Sequence, residues 1–278
     1  MKSLYLKRWF FIIFISLGCV SAVSAHETWL VPGSTATELK ASAKHRKIFL
    51  ALTTGMAFPG LGTSTSPARI LRANIISAET SVPLLAGNSS TEKLELSGIT
   101  QSKSVVMAIV QLKPVVIDLP KDKIGEYLVE LGNPVSVKAR FEATGTWRES
   151  YTKNAKMWVR VGVETAPKSM LAPMNLPYEL VPASDPTLMK AGDSLKVCAY
   201  ADGKVAPNAY LGLVSAAGEH SQQRAGKSGC ASFKLPSRSG FLLHAIRIDP
   251  SAQPDLDFVS HFASLTVLDV SNSESGAN

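Results

Sequence analysis

Phe241-Leu242-Leu243-His244-Ala245-Ile246-Arg247-Ile248 puts Leu242, His244, Ile246 and Ile248 in one phase of a period of two, the signature of a strand with an apolar face. Comparable runs recur at 47–52, 104–110, 157–163, 194–200, 210–214 and 263–268, separated by clusters of Gly, Pro, Asn and Asp. Ala201-Asp202-Gly203-Lys204 is the strongest turn signal among them. Helical spacing is rare. Ile124, Leu128 and Leu131 recur at it within 121–131, and 148–156 is a second candidate for a turn or two. The expected fold is therefore all-β, with one or two short helices. The segment 166–186 carries five prolines and reads as a join between two β-sandwich-like halves. We expect an N-terminal β-rich domain over 26–170 and a C-terminal sandwich over 178–270. The latter has the length and strand spacing of an immunoglobulin/fibronectin-like fold. The small polar stretch 271–278 reads as a disordered tail.

The N-terminal region reads as an export signal. Lys2, Lys7 and Arg8 precede an apolar run from Trp9 to Val23, and Val23-Ser24-Ala25 is a small-x-small cleavage site. Removing residues 1–25 from 278 leaves 253, enough for one large β domain or two smaller ones, and takes the formal charge from +7 to +4. That charge is too small to suggest nucleic acid as a partner. No second apolar run is long enough to span a bilayer, so the mature chain is expected not to be membrane-spanning. Cys19 lies within the signal, where Ser16 makes a poor lipobox. Cys198 and Cys230 remain, in a compartment where a disulfide persists, and are expected to pair rather than stay free thiols.

Cleavage would make His26 the first residue, followed by Glu27-Thr28-Trp29-Leu30. An α-amine that loses its proton near neutral pH closes a chelate ring with the Nδ1 of the same residue, which makes this N-terminus a metal-binding candidate. The alternative is that His26 stands there incidentally.

Several segments together resemble the bacterial DUF4198 family, exported proteins labelled as nickel-uptake or NikM-like components. They are His26-Glu27-Thr28-Trp29-Leu30, Arg148-Glu149-Ser150-Tyr151-Thr152-Lys153-Asn154-Ala155-Lys156, Leu176-Pro177-Tyr178-Glu179-Leu180-Val181-Pro182 with Asp185-Pro186, the Ala201–Lys204 turn, and Ser260-His261-Phe262-Ala263-Ser264-Leu265-Thr266. Thr28 stands where an aromatic is usual, and Thr53-Thr54-Gly55 before Phe58-Pro59-Gly60 is a loose form of the family's glycine turn. The resemblance implies a periplasmic or secreted protein of metal uptake, with a metal transporter or outer-membrane receptor as partner.

Of the five histidines, His45 sits between Lys44 and Arg46, which oppose a divalent ion, and His220 lies in the polar loop 218–229. His244 and His261 each share a phase with apolar neighbours. Such histidines are more often satisfied core residues, yet with His26 they would supply an amine and imidazoles. That donor set suits Ni(II) or Cu(II), and Cu(II) is favoured by intrinsic affinity. The expected metal ligands are His26, then His261, which lies in a family-like segment, then His244, with Glu27 as a carboxylate ligand or a contact beside the metal. Arg148, Glu149, Tyr151 and Lys156 read as a buried ion-pair network pinning the two halves, with a binding surface as the alternative.

No His-Glu-x-x-His, Gly-x-Ser-x-Gly or phosphate loop is present. The chain reads as a binding protein for a divalent transition metal, nickel/cobalt or copper, rather than an enzyme. A copper oxidase or oxygenase built on the same N-terminal His, and a metal-free adhesion or scaffold sandwich, are the alternatives.

Overall fold

A computed structural model describes residues 27–33, 46–101, 105–236 and 240–268. In chain order these form β1 (Glu27–Pro32), β2 (Arg46–Gly55), β3 (Ile70–Ile76), β4 (Ser81–Pro83), β5 (Leu85–Ser89), β6 (Leu94–Thr100), β7 (Val105–Leu112) and β8 (Val115–Asp118). Two helices follow, α1 (Lys121–Glu130) and α2 (Val135–Thr144), then β9 (Arg148–Arg160), β10 (Tyr178–Pro182), β11 (Ser194–Ala201), β12 (Lys204–Val205) and β13 (Tyr210–Ser215). The last strands are β14 (His220–Arg224), β15 (Cys230–Lys234), β16 (Phe241–Pro250) and β17 (Phe258–Val267).

The protein is all-β, and its strands make three sheets. The largest has nine strands in the order β14-β13-β16-β17-β9-β7-β3-β4, with β8 alongside β9. One four-stranded sheet is β1-β2-β6-β5, and the other joins β10, β11, β12 and β15. Alternation along the central strands builds a different core on each face. Val105, Met107, Ile109, Trp158, Leu243, Ala263 and Leu265 pack on one side with Leu180, Val197 and Phe233 of the β10–β11–β15 sheet. Val106, Ala108, Val110, Met157 and Val159 pack on the other with Leu30, Leu50 and Leu96 of the β1–β2–β6 sheet. Farther along that second face, Phe258 and Phe262 pack with Ile124, Leu128 and Val137 of the helices. The two sandwiches thus share their central sheet. Segments 26–170 and 178–270 both contribute to it, because β9 and β17 pair in parallel from Phe258↔Glu149 to Val267↔Trp158.

Two sequence expectations change. Residues 148–156, read as a helical turn, are the first part of β9, a thirteen-residue strand flanked by β17 on one side and by β7 and β8 on the other. The second helix is instead α2, whose only fully buried side chain is Val137, so it carries no helical apolar stripe to read. Gly145, at φ 67°, ends it in the left-handed conformation that glycine adopts without a Cβ clash. Helix α1 matches its expected span. Cys198 and Cys230 face each other across β11 and β15 and are disulfide-bonded. Among the described residues no helix is long and apolar enough to cross a membrane.

Candidate functional site

His26 lies outside the described residues, as do the signal segment 1–25, His45 and the tail 271–278. The chain enters the structure at Glu27. Strand β1 is laid against the central sheet there: the Ser264 hydroxyl donates to the Thr28 carbonyl at 2.5 Å, and Trp29 packs with Leu242 and Phe58. This docking brings the Glu27 carboxylate onto His244, with Oε1 3.2 Å from Nδ1.

The His244 ring owes its place to a missing side chain. Its cross-strand neighbour on β13 is Gly212, where a Cβ would fall 2.1 Å from Nε2. The imidazole lies over that bare backbone, with its Nε2 end nearest Gly212 and Gln222 one strand beyond. In the tautomer whose Nδ1–H donates to Glu27 Oε1, Nε2 is the nitrogen that carries the lone pair. A carboxylate holding the far nitrogen of an imidazole in this way is the usual support behind a metal-ligating histidine. The second oxygen of Glu27, Oε2, is buried and has no hydrogen-bond partner among the described residues. A cavity of about 190 Å³ opens beside the pair, lined by Trp29, Met56, Phe58, Tyr210, His220 and Gln222.

His261 is not part of this arrangement. It is paired with Arg247 on β16, whereas His244 is paired with Ser264, and an odd offset along an antiparallel ladder puts the two imidazoles on opposite faces of the sheet. One ion cannot take both. Burial and the neighbouring Arg247 guanidinium hold the His261 imidazole below its usual value, partly countered by Asp202 and Asp249. His220 is exposed on β14. Among the described residues no group of three or more His, Cys, Asp and Glu is placed to hold a metal, so a closed site there would need residue 26.

The cluster of Arg148, Glu149, Tyr151 and Lys156 divides by strand alternation rather than forming one network. Glu149 is fully buried toward the helices. It accepts from Tyr127 Oη at 3.0 Å, from Trp147 Nε1 at 2.7 Å and from the Ser260 hydroxyl. Burial raises its pKa, and these three donors counter the rise in part. On the opposite face, buried Lys156 donates to Glu179 Oε2 at 2.7 Å, and the same carboxylate accepts the backbone amides of Met174 and Leu176. That pair draws the proline-rich join onto β9, while Glu149 reaches the C-terminal segment through Ser260. Arg148 instead makes an exposed contact with Asp118 at 2.7 Å. Tyr151 carries the cations of Arg69 and Lys153 over its ring, each at 5.6 Å. Lys153, which the sequence reading passed over, is 8% exposed and shares the face of Glu149 and Tyr151. Burial pushes its ammonium down to about 8, with Glu27 opposing and Arg69 reinforcing the shift.

The fold and this site define a class: an all-β protein of two sandwiches on one shared sheet, with its first described strand delivering a carboxylate to a histidine. It belongs to the DUF4198 family, a domain of unknown function, whose family model matches residues 23–249. No curated protein matches the chain. Among solved structures it is similar to the BSP domain of a biofilm-associated protein, at 12% identity and a TM-score of 0.20, covering 84% of this chain and 28% of that one. It is also similar to the full ectodomain (Ig1–Ig3) of mouse nectin-like molecule 4, at 8% identity and a TM-score of 0.19, covering 84% and 61%. At such TM-scores neither likeness bears on function.

Proposed function

We propose that this is an exported protein that binds a divalent transition metal, copper or nickel, in metal uptake or handling. The α-amine and imidazole of His26, freed by removal of 1–25, join Nε2 of His244, and Glu27 serves as the carboxylate that orients His244. The observation that supports this reading is the 3.2 Å contact between His244 Nδ1 and the carboxylate of Glu27, the residue that follows His26 in the chain. The periplasm is the expected compartment, and a transporter or outer-membrane receptor the expected recipient of the ion.

The test is titration of Cu(II) and Ni(II) into protein beginning at His26, beside a version with one extra residue ahead of it and a His244→Ala variant. Tight one-to-one binding, weakened at least about tenfold in both altered proteins, supports the site. Equal binding by all three removes it and leaves the scaffold reading. The cavity beside His244 is the feature that speaks for the copper oxidase reading. Consumption of O2 with ascorbate by the copper-loaded protein, absent in His244→Ala, would favour that reading over handling.

A further inference from the structure

A second cavity, of about 500 Å³, lies at the other end of β16. Strand β13 accompanies β16 only as far as the Leu211↔Ala245 pair, while β16 continues to Pro250. Among the described residues no strand takes the β13 side of β16 beyond that point. Ile246, Arg247, Ile248 and Asp249 all line the cavity. Successive strand residues point to opposite faces, so a cavity that touches all four lies beside the strand's edge rather than over a face. On that side the strand offers N–H and C=O groups that no strand of the described residues pairs, with helix α2 packed nearby.

The far wall is built firmly. Arg224 donates to the Asn208 carbonyl at 3.2 Å and to the Gly132 carbonyl, and stacks over Tyr210 at 5.3 Å. It thereby ties the α1–α2 turn to the loop before β13. The chemistry within favours a negative group. Tyr178, 1% exposed, lines the cavity and brings a hydroxyl donor to it. Arg247 uses Nε on Asp249 at 2.7 Å, and its terminal nitrogens have no partner among the described residues. Lys204, also on the wall, has no ion-pair partner among them. One lining acid, Asp202, stands against these donors; Asp249 is already paired.

We propose that this cavity is a docking groove for an extended segment of a partner protein, which adds to the free edge of β16 and presents an Asp or Glu side chain to Arg247, Lys204 and Tyr178. Main-chain bonds to the edge supply the affinity and the cationic wall supplies the selection.

Because edge pairing depends little on sequence, a generic β-forming peptide is a fair probe. Fluorescein-Thr-Val-Thr-Glu-Val-Thr-Val-amide, labelled through its N-terminal amine, and its Gln counterpart are titrated with the mature protein and followed by anisotropy. The Glu peptide is expected to saturate below about 1 mM and to bind at least about tenfold tighter than the Gln peptide. The partly exposed Arg247→Gln variant, checked for an unchanged melting temperature, should erase that difference. Amide hydrogen exchange at 246–249 should slow when the Glu peptide is added. Failure of either peptide to saturate, equal binding of the two, or an unaltered preference in Arg247→Gln overturns the proposal. So does a protein dimer that Arg247→Glu dissociates, since a second copy would then occupy the edge.

Discussion

A single absent side chain decides where His244 lies. Because a Cβ at position 212 would fall 2.1 Å from its Nε2, Gly212→Ala forces the ring off the strand and away from Glu27. Because the clash falls on the tip of a side chain that can swing aside, we expect that variant to lose no more than about 1 kcal/mol in urea unfolding and to bind Cu(II) more weakly than the parent. A weakened copper isotherm without loss of the fold would locate the effect at the imidazole. Lys153 gives a pH signature of its own. Its folded pKa of about 8 lies below that of a free lysine, roughly 10.4, so between these values the unfolded chain holds a proton that the folded one has released. Stability should therefore rise with pH across that window, by up to about 3 kcal/mol from this group. Guanidinium midpoints at pH 7, 9 and 10 should show the rise shrinking in Lys153→Met; an identical slope in both proteins would contradict the assignment.

At the scale of elements, β9 is the hinge of the fold's logic. Its alternation sends Glu149 to the helices and Lys156 to the β10 strand, so one strand secures both faces of the central sheet by buried charge. Lys156 is held below its ordinary pKa by burial, against the pull of Glu179, which shows how much the pair depends on mutual contact. Lys156→Met leaves the Glu179 carboxylate buried with only two backbone amides, and should cost about 3–5 kcal/mol. Adding Glu179→Gln, which keeps an acceptor for those amides, should recover a good part of the loss; a double variant no better than the single one would refute the pairing energetics. The same strand explains a misreading. Four charged side chains between Arg148 and Lys156 hide a strand whose partners lie on distant segments, and only those partners make the extended form the better one.

For the whole molecule, the strongly periodic runs, the helix at 121–130 and the all-β class were legible from residue order, because local alternation and turn chemistry report burial directly. Sharing of the central sheet was not, since the parallel β9–β17 pairing joins residues more than a hundred positions apart. The candidate site divides the same way. Glu27 and His244 were legible as chemistry-bearing residues, and His244 as one facing an apolar surface. Whether His244 or His261 meets Glu27 depends on register: the two stand seventeen residues apart on antiparallel strands, and a shift of one position exchanges the faces. The sequence by itself determined that this chain is built of strands and which side chains bear its chemistry, because those follow from local pattern. Tertiary structure alone decided which of them meet, because register, sheet order and the docking of β1 are set by contacts that no local pattern records.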